Sequence, residues 1–177
     1  MVYLFLADGF EEIEALSCVD ILRRAGIEVL TAGVTGRSVK GAHGIRVEAD
    51  VDVSECVYDA EMVILPGGSV GTDNLAASGD VASLVNDAAQ RNAYVAAICA
   101  APTVLGGLGL LKGRRAVCYP GLESRLTGAL SSAERVCIDG NFITSRGPGT
   151  TAEFALTLVE ILKGRQTADS LRKGMLW

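Results

Sequence analysis

The chain has 177 residues, of which 49% are hydrophobic and 21% charged, a composition typical of one globular domain with a substantial core. Its formal net charge is −5 and no Lys/Arg cluster is longer than a pair, which argues against nucleic acid as a partner. A single histidine, His43, excludes metal sites that need two histidines and leaves any catalytic nucleophile only one histidine as a base.

The first part of the chain predicts a β-α-β unit. Residues 2–7 are a continuous apolar run typical of a strand buried on both faces, residues 11–25 favour a helix, and residues 27–32 alternate as a second strand. Parallel pairing through a crossover helix is the expected result. Residues 35–52 place three glycines between short β-prone pieces, and we expect a small hairpin there.

The remainder of the chain continues this alternation of strands and helices. The predicted strands are residues 60–65, 94–98 and 116–119, with a hairpin at 135–144, and the predicted helices are residues 80–92, 151–163 and 167–177. Together these elements predict an α/β fold. We expect a three-layer sandwich around a mostly parallel central sheet, forming a single domain over residues 1–177.

Apolar runs and cysteine spacing bear on the compartment. No apolar run approaches the ~18 residues that span a bilayer, and the first six residues are too short for an export signal. The five cysteines are odd in number and form no CxxC, so neither a disulfide framework nor a zinc knuckle is predicted. We therefore expect a cytoplasmic protein with no membrane association and no metal site.

Three strand ends carry unusual residues. Asp8-Gly9 follows the first strand, Pro66-Gly67-Gly68 follows the third, and Cys99-Ala100 follows the fourth. Ligands bind at the carboxyl ends of strands in open parallel sheets, so these segments mark the candidate site.

Cys99 lies where a strand turns into a helix, an arrangement typical of a nucleophile elbow. The N–H groups and positive end of the helix would favour its thiolate. Gly67 and Gly68 allow close approach of backbone N–H groups, which together with the N–H of Ala100 would form an oxyanion hole. A cysteine that only packs, beside an ordinary tight turn, is the alternative.

Two other residues are judged from their surroundings in the sequence. Glu14 falls in a mostly polar helical stripe with Ser17 and Arg24, which predicts a solvent-exposed carboxylate. If Glu14 were buried and protonated instead, it would donate a hydrogen bond to a nearby thiolate. His43 lies among small residues and is predicted to be an exposed loop residue.

Some motif matches fail. Residues 67–71 (GGSVG) fit the G-x-S-x-G pattern, but a hydrolase triad needs a histidine after the serine and His43 precedes it. No GxGxxG or Walker A motif occurs, so no nucleotide cofactor is predicted.

Four separated segments occur in order along the chain: ADGFEEIE at 7–14, LPGG at 65–68, AICAAPT at 97–103 and TSRGPGT at 144–150. Together they resemble the ThiJ/PfpI superfamily, and within it the branch of the parkinsonism-associated deglycase (the DJ-one protein) and its bacterial relatives. The resemblance covers essentially the whole chain. It implies a flavodoxin-like sandwich that forms a homodimer.

The resemblance also implies roles for particular residues. Cys99 would be the reactive cysteine, and Glu14 the buried, protonated carboxylic acid beside it. The N–H groups of Gly68 and Ala100 would be oxyanion donors, and the loop at Gly147-Pro148 would close one side of the pocket near the dimer interface.

Several activities are described for members of this family. They include glyoxalases that need no cofactor and act on methylglyoxal or glyoxal, deglycases of glycated proteins, oxidation-sensing chaperones and, in older naming, thiazole-monophosphate biosynthesis proteins. The resemblance therefore implies a small dicarbonyl or a glycated protein as substrate, with oxidative-stress sensing as the alternative.

The chain departs from its relatives at two positions. Ala100 stands where protease-type relatives have a histidine, which argues against a Cys-His peptidase. Tyr119 stands where the deglycase has a histidine; it can hydrogen-bond a ligand, but an ordinary tyrosine pKa of about 10 makes it a poor base. Proton transfer would therefore fall on Glu14.

Overall fold

The computed structural model describes residues 1–177. The strands, in chain order, are β1 (Val2–Leu6), β2 (Val29–Gly33), β3 (Ser38–Lys40), β4 (Arg46–Glu48), β5 (Val51–Asp52), β6 (Met62–Leu65), β7 (Tyr94–Ile98), β8 (Arg115–Ala116), β9 (Leu130–Ser131), β10 (Val136–Asp139) and β11 (Phe142–Ser145). The helices are α1 (Glu12–Arg24), α2 (Ser69–Ala77), α3 (Gly79–Gln90), α4 (Pro102–Gly107), α5 (Thr151–Lys163) and α6 (Arg165–Gly174).

Seven strands form the central sheet, in the order β10-β11-β7-β6-β1-β2-β5. All neighbours are parallel except the β10–β11 hairpin. The strand order reverses between β1 and β6, which is the doubly wound, flavodoxin-like arrangement. The predicted α/β sandwich with a mostly parallel sheet is confirmed.

The two faces of the sheet bury separate apolar cores because side chains alternate along each strand. Leu4 and Leu6 of β1 pack on the face covered by α1, α5 and α6. Tyr3 and Phe5 pack on the opposite face with α2, α3 and α4. No helix combines the length and the apolar character that a membrane crossing requires.

The structure corrects the predicted elements in three places. Residues 69–77 form α2, which was not predicted because its glycine and polar residues leave no clear apolar pattern. The strand predicted at 116–119 is only Arg115–Ala116, paired with Leu130–Ser131 in a separate two-stranded sheet. The edge strand β5 was not predicted, whereas the expected hairpin within 35–52 is present as β3–β4.

Candidate active site

The candidate site lies at the carboxyl ends of the adjacent strands β1, β6 and β7, where the strand order reverses. Short backbone hydrogen bonds join the loops that follow β1 and β6. Glu11 N donates to Gly67 O at 3.0 Å, and Gly71 N donates to Gly9 O at 3.1 Å. These bonds hold the first turn of α1 and the start of α2 against each other, beside the end of β7.

Cys99 occupies a strained turn directly after β7. Its φ of 65° lies in the left-handed region, which costs a residue other than glycine roughly 1–2 kcal/mol. The backbone is fixed on both sides, because Cys99 N donates to Ser145 O at 3.0 Å and Tyr119 N donates to Cys99 O at 2.7 Å. The predicted elbow is therefore present, and tertiary hydrogen bonds stabilise it.

Cys99 is 9% exposed, and its sulfur has three polar neighbours: the backbone amides of Gly68 and Ala100 and the carboxyl of Glu14. Burial has the largest effect on the thiol, and the negative charge of a Glu14 carboxylate has the next largest. Together they raise the pKa of the Cys99 thiol to about 12, against the lowering effect of the two amides. The expected amide donors are thus in place, but they do not outweigh burial while Glu14 is charged. A neutral Glu14 removes the charge repulsion and so favours a thiolate at Cys99.

Glu14 is fully buried, so the exposed carboxylate predicted from helical periodicity is wrong. The first turn of α1 lies under the β6–α2 turn rather than in solvent. There Oε2 accepts a 2.8 Å hydrogen bond from Gly67 N, while Oε1 is buried without a partner. Burial raises the pKa of Glu14 to about 7, against the lowering effects of Cys99 and the Gly67 amide.

An orphan oxygen favours the protonated acid at Glu14. A buried carboxylate oxygen without a donor is costly, whereas the O–H of a carboxylic acid is itself a donor. Cys99 is the one side chain whose interaction lowers the pKa of this carboxyl. The pair can therefore hold one proton and one negative charge between them, with the charge on sulfur or on oxygen.

Gly67 separates these two side chains and leaves no room for a side chain of its own. A Cβ built on it would lie 2.5 Å from Glu14 Oε2, 2.6 Å from Cys99 Cβ and 3.1 Å from Cys99 Sγ. Gly68 has a φ of 92°, and a Cβ there would overlap Gly9 O. The two glycines predicted from the sequence are thus needed for close approach at both positions.

A cavity of about 390 Å³ opens onto Cys99. Its lining residues are Ser69, Thr72, Cys99, Ala100, Tyr119, Pro120, Gly121, Leu122 and Arg125. Gly147 and Pro148 line a second cavity of about 280 Å³, which shares Tyr119 and Pro120 with the first. The Gly147-Pro148 loop therefore flanks the Cys99 cavity across the Tyr119 ring.

Known proteins resemble this chain in sequence and in overall fold. The model of the DJ-1/PfpI family matches residues 1–161. This chain belongs to the DJ-1/PfpI family. Protein dj-1beta of Drosophila melanogaster is 38% identical over 177 residues, covering 98% of this chain and 95% of the fly protein. A solved structure entitled "Toxoplasma gondii DJ-1, oxidized" has a TM-score of 0.95 at 34% identity, covering 99% of this chain and 97% of that chain.

One relative within the DJ-1/PfpI family is named for an activity. The "Glutathione-independent glyoxalase DJR-1.2" of Caenorhabditis elegans is 38% identical over 168 residues, covering 92% of this chain and 88% of the relative. The family thus contains a homologue named as a glyoxalase.

His43 does not line the cavity of this DJ-1/PfpI chain. Its side chain is 70% exposed, as predicted, and its Nδ1 lies 2.8 Å from Glu12 Oε2. That pairing raises the pKa of His43 above its ordinary value.

Sequence reasoning missed Thr72 and Arg125, two polar residues that line the Cys99 cavity. Thr72 lies on α2, the helix that was not predicted, and Arg125 ends a short 3-10 turn at Glu123–Arg125. For Thr72, the sequence signal was the G-x-S-x-G match at 67–71, because these residues include the start of α2.

Proposed function

We propose that the chain is a glyoxalase that acts on methylglyoxal or glyoxal through Cys99 and Glu14, without a cofactor. The observation that carries the proposal is the pair itself, a cysteine on an elbow with two amide donors and a buried carboxyl whose pKa is raised to about 7. The glyoxalase named among the relatives supports the substrate class. The same carbonyl chemistry extends to dicarbonyl adducts on proteins.

The first step is addition. With Glu14 protonated, the Cys99 thiolate attacks the aldehyde carbon, forming a C–S bond while the carbonyl π electrons move to oxygen. That oxygen takes the Glu14 proton to give a neutral hemithioacetal and a Glu14 carboxylate. The amides of Gly68 and Ala100, which face the sulfur, stabilise the negative charge on the neighbouring oxygen as it develops.

The second step is isomerisation followed by hydrolysis. The Glu14 carboxylate removes the proton from the former aldehyde carbon, and the electron pair passes to the ketone oxygen to form an enediolate. Glu14 returns the proton to the former ketone carbon, while the hydroxyl proton on the sulfur-bearing carbon passes to the neighbouring alkoxide oxygen, which leaves the thioester of a hydroxy acid on Cys99. Water then cleaves the C–S bond, releases the hydroxy acid and restores the thiolate and the acid.

Lactate release from methylglyoxal tests this function. Purified wild-type protein should form lactate, and Cys99→Ser should form no more than the buffer alone. Cys137→Ser is the matched control, because Cys137 is also buried but lies in β10. Equal lactate formation by wild-type protein and Cys99→Ser would refute the proposal.

The donors around Cys99 also favour a second function, oxidation sensing. Peroxide would oxidise the thiolate to a sulfenate with cleavage of the O–O bond, and a second peroxide would give a sulfinate. Among the five cysteines, backbone amides act on the pKa of Cys99 alone, and those donors would stabilise the sulfinate oxygens. Mass spectrometry after mild peroxide should place the added oxygens on Cys99. An even spread over all five would exclude a sensor.

A homodimer is proposed as the assembly. Ile13 on α1 is 55% exposed, and Ile45 is also exposed. Ile45 lies beside the first turn of α1, since Glu12 Oε1 accepts a hydrogen bond from Ile45 N. Light scattering should show a dimer for wild-type protein and a monomer for Ile13→Glu, because the added charge would disfavour the apolar interface. A monomeric wild type would exclude the dimer.

A further inference from the structure

The Cys99 cavity is larger than methylglyoxal needs. At about 390 Å³ it falls within the ~300–1,000 Å³ typical of ligand pockets, whereas methylglyoxal is a three-carbon molecule. If the proposed carbonyl chemistry holds, the remaining volume can accommodate a substituent on the substrate. The residues around that volume indicate which substituent.

The lining is cationic. Neither the Cys99 cavity nor its neighbour across Tyr119 is lined by an aspartate or a glutamate, although the chain carries a net charge of −5. Arg125 lines the Cys99 cavity, and Arg135 and Arg146 line the other. Concave surfaces of one sign concentrate ligands of the opposite sign.

The guanidinium of Arg125 is available to a ligand. Its one ion pair, to Asp73 Oδ1 at 3.9 Å, joins side chains that are 52% and 68% exposed, and exposed pairs of this length contribute little. Its side chain donates no hydrogen bond to the protein, in contrast to Arg135, which binds Glu153 at 2.7 Å. Arg125 therefore retains its donors for a carboxylate or a phosphate.

Thr72 adds an unused hydroxyl to the same lining. The residue is 1% exposed, and its Oγ1 has no hydrogen-bond partner. Buried hydroxyl groups are nearly always paired, so an unpaired one beside a cavity suggests a partner supplied by a ligand.

We propose that Arg125 and Thr72 form a specificity subsite for an anionic group, a carboxylate or a phosphate, on the far end of a dicarbonyl substrate. The carbonyl lies at Cys99 while the anion pairs with the guanidinium, and the Thr72 hydroxyl donates to the anion or to the linking chain. This inference rests on the proposed function for its chemistry but concerns a different part of the cavity.

A matched pair of substrates tests the subsite. Wild-type protein should prefer 4,5-dioxovalerate, a 2-oxoaldehyde with a carboxylate, over its neutral methyl ester by about tenfold in kcat/KM. Arg125→Gln should reduce this ratio to near one, Arg125→Lys should restore part of it, and Thr72→Val should lower it by about threefold. Arg165→Gln, on the exposed helix α6, is the control and should leave the ratio unchanged. An equal ratio in wild type and Arg125→Gln would overturn the subsite.

The phosphate ester of hydroxypyruvaldehyde distinguishes the two anions. If wild-type protein has a higher kcat/KM for this ester than for 4,5-dioxovalerate, and Arg125→Gln loses the difference, the subsite is assigned to phosphate. The reverse order of kcat/KM would assign it to carboxylate. Either order supports the subsite only where Arg125→Gln removes the preference for the anion.

Alkylation of Cys99 tests the subsite even if no dicarbonyl is turned over. The ratio of labelling rates for iodoacetate and the neutral iodoacetamide should be higher in wild-type protein than in Arg125→Gln, because the same thiol reacts with both reagents. Thus turnover without an anion preference refutes the subsite alone. If no dicarbonyl is turned over but the labelling ratio depends on Arg125, the glyoxalase function is refuted and the subsite is supported. An identical labelling ratio in the two proteins refutes the subsite.

Discussion

Glu14 Oε2 and Gly67 N are joined by a buried hydrogen bond of 2.8 Å, and this contact fixes the carboxyl beside Cys99. The bond uses one carboxyl oxygen and leaves the other without a partner. A Cβ on Gly67 would overlap both Glu14 Oε2 and Cys99 Cβ, so the missing side chain at this one residue lets the acid and the thiol lie close together. The chemistry of the site follows from this spacing and from the proton that the two groups share.

Glu14→Gln should lower the pKa of Cys99. The amide has no negative charge, so the repulsion that a Glu14 carboxylate exerts on the thiolate is removed. The rate of iodoacetamide labelling as a function of pH measures this change. A Cys99 pKa equal to or above that of the wild type would show that the carboxyl does not act on the thiol.

The same substitution should change how stability depends on pH. Burial raises the pKa of Glu14 from 4.5 to about 7, so the folded state holds its proton more tightly than the unfolded chain. The resulting stabilisation is fully present below pH 4.5 and is lost as the pH rises through about 7. Relative to Glu14→Gln, the wild type should therefore lose about 3 kcal/mol of unfolding free energy over this range.

Urea unfolding of both proteins below pH 4.5 and above pH 7 measures this difference. Comparing the two proteins cancels other titrating groups, including His43, whose pKa is raised beside Glu12 and whose stabilisation is also lost as the pH rises through that pKa. A constant difference between the two proteins would mean that the pKa of Glu14 is not raised.

Gly67→Ala should abolish lactate formation and destabilise the protein. The added methyl group would overlap Glu14 Oε2 and Cys99 Cβ, although the backbone conformation itself accepts alanine. Gly107→Ala is the control, because Gly107 lies exposed in α4 with open space around its Cβ position and should gain about 0.5–1 kcal/mol. Thermal unfolding and the lactate assay check both variants; an active Gly67→Ala would contradict the proposed spacing.

Thr72→Val should stabilise the free protein by about 1 kcal/mol, because a buried hydroxyl without a partner is replaced by a methyl group of the same shape. Thr103→Val is the opposite case. Thr103 is also buried, but its hydroxyl donates to Ala100 O at 2.7 Å, so its loss should destabilise by about 1 kcal/mol. Urea titration compares the two variants, and destabilisation by Thr72→Val would show that the hydroxyl is satisfied within the protein.

The sequence predicts the parallel sheet, the turn at Cys99 and the glycines at 67 and 68, because each depends on local apolar runs or on residues with special backbone freedom. Burial of Glu14 depends on tertiary packing. Helical periodicity places it in a polar stripe, but the loop after β6 covers the first turn of α1, and only the family resemblance indicates this. Thr72 and Arg125 were missed for a similar reason, since α2 and the turn at Glu123–Arg125 lack a clear apolar pattern.

Carbon-13 NMR of single turnovers tests the central claim, that Glu14 moves a proton on a dicarbonyl bound to Cys99. With methylglyoxal ¹³C-labelled at its aldehyde carbon, wild-type protein should give the lactate carboxyl signal. Glu14→Gln should accumulate the hemithioacetal carbon without lactate, and Cys99→Ser should give neither signal. Lactate formed by Glu14→Gln or Cys99→Ser at the wild-type rate would contradict the mechanism.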